Sequence, residues 1–343
     1  MMWLTWRQFR AQAIVTAAAL VLVVIVLAVS GVQLANTFHA TIAGCQAKGS
    51  CSQLAQEFLN ANNGSGYELI GKIAIVLIYA VPGLIGVFWG APLITREIET
   101  GTFRLAWTQS VMRSRWLVVK VGLIGLVALA SAALLSLTAS WWMNPLYQAS
   151  SKASAASGAI GRLSPVTFGA NGIAPIGYAG FGFALGLTLG VLIRRTLPAM
   201  AGTLAVFAGI QVVWPRWIRP HLIPPLRSTS PLDMSRINEL AIVAQRHMYV
   251  QAEASKPGAW ILGNQTIDPA GHPFTGPATQ ACLNQGIKAC NASVARLHLR
   301  SVITYQPASR YWDFQLYETA IFLVAAAALV WFCYWWVSKR RLT

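Results

Sequence analysis

Charge is the scarcest property of this chain. Of its 343 residues only 10% are Asp, Glu, Lys or Arg, and just ten are acidic. Catalytic signatures are missing as well. There is no HExxH and no GxSxG, and the five histidines (His39, His221, His247, His272, His298) share no ligand spacing. None of the five cysteines forms a CxxC pair. The stretch Gly66-Tyr67-Glu68-Leu69-Ile70-Gly71-Lys72 fits GxxxxGK, but Ile73 stands where a phosphate-binding loop needs the Ser or Thr that holds magnesium. The chain is therefore read as no enzyme, with no metal site and no cofactor of its own.

What the chain has instead is apolar length. It is 55% hydrophobic with a mean hydropathy of +0.53. Six windows reach the roughly 20 apolar residues that a bilayer crossing requires: 13–34, 73–94, 121–143, 172–193, 196–214 and 319–337. Trp331, Tyr334, Trp335 and Trp336 crowd the end of the last, as interface aromatics do. The expected fold is an all-α polytopic membrane protein with six transmembrane helices. Within the windows there is no charge at all, and Glu68 and Lys72 stand at the exterior edge of the second. Intramembrane charge is the usual mark of an ion or proton path, so a proton-coupled carrier or ion pump is disfavoured.

The net charge of +16 would suit nucleic acid, but its distribution suits topology better, and no nucleic-acid partner is expected. With the N-terminus inside, twelve basic residues fall in short interior segments and three, Lys48, Lys152 and Arg162, in short exterior loops. Both termini are thus expected on the cytoplasmic side of the plasma (inner) membrane. Cys45 and Cys51 then share one exterior loop and Cys282 and Cys290 the other, which suits disulfides in an oxidising compartment, with zinc as the competing reading. Cys333, within the last window, reads as a packing residue.

The domain plan follows from the windows. Residues 1–12 place Trp3, Trp6, Arg7 and Arg10 at helical spacing, either as a short interfacial helix or as a plain flank of the first span. Residues 13–214 hold five spans. In the second, Pro82 and Gly83 precede Gly86 and Gly90; in the fourth, Gly182, Gly186 and Gly190 form two overlapping GxxxG steps. Such steps let helix backbones approach closely, either within one chain or between subunits. Arg194-Arg195 alone separates spans four and five, so a tight hairpin is expected. Residues 215–318 form an extracellular cap between helices five and six. Ser230-Pro231-Leu232-Asp233 carries helix-start signals, predicting a helix from 231 to about 253, with loop over 255–288. Residues 319–343 are the sixth span and a basic tail.

Between spans two and three lies TREIETGTFRLAWTQSVMRSRWLVVK, residues 95–120, with seven charges. Here Thr95-Arg96-Glu97-Ile98-Glu99-Thr100-Gly101-Thr102, then Trp107-Thr108-Gln109-Ser110-Val111, Arg113 and Lys120 follow an order of acidic residue, Gly-Thr, Thr-Gln-x-Val-x-Arg and Lys. With the WLTWRQFR start and the six-span plan, this resembles the permease subunit of an ABC-2-type ABC transporter, of the sort common in actinobacteria. Ser110 departs from the proline of many members, and 215–318 lies outside the resemblance.

The resemblance implies a half-transporter. Two such permeases, as a homodimer, would sit on two copies of a cytoplasmic P-loop ATPase that binds ATP and Mg. A coupling helix at about 95–110 would dock in that ATPase through Arg96, Glu97, Glu99, Gly101, Thr102, Phe103, Arg104 and Trp107. The expected function is export of a hydrophobic or amphipathic compound (a drug, antibiotic or lipid-like molecule), with membrane lipid around it. The alternative is a non-transporting membrane sensor or accessory subunit whose 215–318 segment binds a ligand.

Overall fold

The computed structural model describes residues 2–43, 45, 51–100, 113–153, 161–233, 237–243, 247–252, 254, 256, 258–277, 282 and 286–339. Among these, six helices are long and apolar enough to cross a membrane. Helix α1 (Met2–Ala43) runs unbroken through the N-terminal segment and the first span. Helix α2 (Cys51–Asn62) lies between it and α3 (Gly66–Ile85), which passes through a π-turn (Gly86–Gly90) into α4 (Pro92–Thr100). Helix α5 (Arg113–Lys152) is the third span, and α6 (Pro165–Phe168) is a single turn before the fourth, α7 (Ala174–Ile193). Helix α8 (Thr196–Val213) continues as a π-turn (Trp214–Ile218) and a 3-10 turn (Arg219–His221). The last, α10 (Tyr311–Lys339), follows the cap.

Burial ranks these helices. The most apolar stretch of α7 is 72% buried, that of α1 only 6%. A helix apolar all round belongs inside other helices, and α7 takes that place, packed by α3, α5, α8 and α10. On α10 the exposed Trp312 and Tyr317 lie near one end and Trp331, Tyr334 and Trp335 near the other. At about 1.5 Å of rise per residue, Trp312 and Trp335 stand roughly 35 Å apart. That matches two aromatic belts around a hydrocarbon core of about 30 Å.

The cap differs from its expectation. Where a helix was predicted over 231–253, the chain forms β2 (Ile237–Val243) and β3 (His247–Ala252), an antiparallel pair with Leu240 opposite Val250. Met248, Val250 and Ala252 are buried while Tyr249 and Gln251 are not, so burial repeats every two residues. That period overrode the cap signal at Ser230-Pro231. Pro231 in fact ends β1 (Leu226–Pro231), an edge strand. Because Leu232 N–H donates to Leu299 O at 3.0 Å, the neighbouring Pro231 turns its ring nitrogen to the free edge, where a missing N–H costs nothing. The stretch read as loop contains β4 (Trp260–Ile267) and the short β5 (Gly276–Pro277). Helix α9 (Gly286–Ala295) and β6 (Arg300–Gln306) complete two three-stranded sheets, ordered β1-β6-β4 and β2-β3-β5. Cys45 is bonded to Cys51, and Cys282 to Cys290. Cys333 is buried with its Sγ 3.3 Å from Thr188 Oγ1.

The cap joins the helices through an ion pair that reading the windows for charge missed. Arg219 and Glu318 lie just outside the fifth and sixth windows, yet both side chains are 0% exposed. Arg219 Nε and one terminal amine each donate to a Glu318 oxygen at 2.8 Å. The other amine donates to Pro165 O at 3.1 Å, Tyr178 O–H donates to Glu318, and the guanidinium stacks on the Phe168 ring at 4.4 Å. Tyr79 O–H donates to Val166 O at 2.9 Å, so α3, α6, α7, α8 and α10 meet around this pair. A bidentate, fully hydrogen-bonded pair meets the conditions under which buried charge is tolerated. Removing one partner strands the other. Glu318→Ala should destabilise the protein by roughly 3–5 kcal/mol, read as thermal or denaturant unfolding in detergent. The double change Arg219→Met with Glu318→Leu should recover much of that loss, whereas equal damage from single and double variants would contradict the account.

Candidate functional site: the charged connection and the helix contact behind it

The charged connection begins where α3 leaves the bundle. Pro82 removes one backbone donor inside α3, and one turn later Ala91 N–H reaches back five residues to Gly86 O at 2.8 Å. Such π-turns re-aim the helix that follows them. Here the turn also brings Gly86 and Gly90 against α7. A Cβ on Gly186 would collide with Gly86 O, one on Gly182 with Pro82 O, and one on Gly190 would sit 2.7 Å from Ala91 O. All three glycines of the GxxxG steps therefore serve contact within the chain, with backbone lying on backbone. From α8, Phe207 packs over Gly83 and Thr203 over Gly86.

Helix α4 follows this contact directly and carries Arg96, Glu97 and Glu99. Both carboxylates turn toward the chain itself. Glu97 pairs with Lys120 at the start of the third span, and the two side chains are only 15% and 8% exposed. Glu99 accepts from Thr196 N–H at 2.9 Å and Thr196 O–H at 2.6 Å, capping the first turn of α8. Thr196 O–H also lies 3.1 Å from Thr95 Oγ1, which donates to Ala91 O at 2.8 Å. The hairpin between α7 and α8 is closed by Arg194 in the left-handed region, φ 59°. Helix α4 is thus bonded to α5 and α8 while being continuous with α3. Arg96 is exposed. Gly101, Thr102, Phe103, Arg104 and Trp107 lie outside the described residues. The two hydrogen bonds from Thr196 hold the Glu99 carboxyl below the usual carboxylate range.

Farther into the bundle, α1, α3 and α5 enclose an open groove of about 570 Å³. Its walls are apolar and aromatic, with Leu20, Leu84, Phe88 and Trp89 prominent and only Thr16 and Ser131 polar. Sequence reasoning anticipated an uncharged cavity but not its position, which depends on how three separate helices diverge. Among the described residues, no charged side chain lines it.

Comparison with known proteins agrees with this architecture. A family model described as ABC-2 membrane transporter related matches residues 17–219, which include all of α3 to α8 and leave most of the cap outside. No significant match was found among curated proteins or among solved structures.

Two outcomes follow. Gly186→Leu should drive α7 from the π-turn at a cost on the order of 3 kcal/mol, the upper range of overpacking. It should appear as aggregation or early elution on size exclusion. Gly209→Leu, at a glycine with nothing within 4 Å, should behave as wild type. The second outcome concerns acid. A carboxylate with a depressed folded pKa stabilises above its unfolded value, about 4.3, and loses that effect as pH falls through the folded value. Glu99→Gln should therefore lower Tm at pH 7, and the gap to wild type should close below the carboxylate range. A gap that persists unchanged in acid would refute the ionised cap.

Proposed function

Because the chain belongs to the ABC-2 membrane transporter related family, we propose that this membrane permease is the transmembrane half of an ATP-driven exporter for a hydrophobic or amphipathic compound. Two permease copies and two cytoplasmic P-loop ATPases form the working unit, ATP and Mg being held by the ATPases. Both termini, α4 and the Arg194-Arg195 turn lie in the cytoplasm, and the cap lies outside, as the basic residues favour.

The observation that carries this reading is the bonding of α4. A connection whose purpose is only to reverse the chain needs no partners beyond its flanking helices. This one reaches beyond them to α8 through Glu99, in addition to its pair with the flanking α5 through Glu97. A displacement applied to it by an ATPase is delivered to α3, α5 and α8 together, as a rigid-body coupling requires. In this reading Glu97 and Glu99 hold the lever, while Arg96 and residues 101–107 meet the ATPase. The uncharged groove between α1, α3 and α5 supports the cargo class, since its lining offers an ion nothing in exchange for its hydration.

A charge swap tests the lever. In vesicles containing the permease with its ATPase, Glu97→Lys should abolish cargo-stimulated ATP hydrolysis while insertion stays normal. Glu97→Lys combined with Lys120→Glu should restore at least part of it by rebuilding the pair. Wild-type coupling in the single variant would overturn the role of Glu97.

A further inference from the structure

A second cavity lies at the opposite end of the bundle, between α2, α3 and α5, with a volume of about 320 Å³. Small-molecule sites begin at about this size. Its floor is apolar, built by Ile75, Met143 and Leu146, while its roof is amide-rich. Gln56 and Asn60 project from one face of α2, and Asn63 follows at its end. The roof is held in place, because the Cys45–Cys51 disulfide ties the start of α2 to the chain leaving α1.

Two features specify what would bind. Gln56 Nε2 donates to Asn60 Oδ1 at 3.2 Å, so the roof is a row of uncharged amides ordered along α2. Each amide offers both a carbonyl acceptor and N–H donors, so the roof suits an uncharged head group that can hydrogen-bond to it. At the mouth, Glu68 and Lys72 pair with each other, so the rim presents no net charge to a ligand. Amides above and an apolar floor below suit a molecule with one apolar end and one uncharged, hydrogen-bonding end.

We infer that this cavity is a binding site for a neutral amphipath whose head group carries hydroxyl or amide donors. The inference does not depend on the direction of transport or on the ATPase, since binding here needs only the folded chain. Gly71 lines the cavity, and a Cβ there would stand 3.3 Å from the Trp142 ring, so a larger side chain at 71 would fill the space.

The test uses the full chain in phosphatidylcholine nanodiscs and octyl glucoside bearing a diazirine, with labelled peptides mapped by mass spectrometry. Competitors are unlabelled octyl glucoside, N-octylacetamide, octyl phosphate and octyltrimethylammonium. Saturable labelling of the cavity segments of α2, α3 and α5 is expected. At least one neutral competitor should displace it tenfold better than either charged one, and which neutral head wins separates hydroxyl from amide recognition. Gln56→Leu should reduce labelling at least tenfold with elution volume and Tm unchanged, and Gly71→Phe should do the same if it folds. Equal competition by the charged heads would overturn the inference. So would labelling confined to exposed positions such as Leu69 and Val76, or wild-type labelling of Gln56→Leu.

Discussion

The structure depends on backbone lying against backbone where the π-turn after α3 meets α7. Between helices in a membrane there is little hydrophobic gain from leaving lipid, so association rests on close van der Waals contact and hydrogen bonds. Gly86 and Gly90 on one side and Gly182, Gly186 and Gly190 on the other let the two backbones touch directly. At the π-turn Ala91 N–H reaches back five residues to Gly86 O, and this stretch of backbone is the part laid against α7. With that contact set, α7 becomes the axis that α5, α8 and α10 pack around.

The ion pair of Arg219 and Glu318 has a different task. Apolar packing among helices is tolerant of small slips, whereas a bidentate pair with a tyrosine and a carbonyl as further partners accepts one arrangement. It lies where α8 gives way to the cap and the cap gives way to α10. The sheets of the cap therefore enter and leave the membrane domain through one fixed joint. Buried ion pairs are weak evidence of stability, because desolvation offsets much of the attraction. Their attested value lies in registry, and registry is what a joint between a β cap and a helical bundle needs.

How much of this was legible follows the same division. The six spans could be read because the bilayer imposes length and apolarity on each segment locally. The glycine steps could be read as close contacts but not assigned a partner, since spacing along one helix says nothing of the helix facing it. Arg219 and Glu318 escaped because a hydropathy window ends where charge begins, and the two are 99 residues apart. The helix expected at 231–253 failed for another reason: a start signal of three residues was weighed above a two-residue burial period in short strands. Glu97 and Glu99 stood out in the sequence by their charge, and the structure gives each a partner within the chain. Lys120 was visible in the same stretch, whereas Thr196 was not.

That inward turn of the two carboxylates changes what a coupling element must be. If α4 presented its acids to another protein, each would have to be desolvated at that interface and repaid there, while α4 itself hung from α3 alone. Bonded to Lys120 and Thr196 instead, α4 already belongs to three membrane helices before any partner arrives. The π-turn behind it opposes bending at the one place where the lever could fold, because Gly90 has no room to move against the Phe183 carbonyl. A load on α4 must then shift the α7–α8 hairpin or break contacts of backbone on backbone. In the proposed coupling, a load on α4 reaches α8 through Glu99 and Thr196, and the far end of α8 leads to Arg219 and the root of the cap.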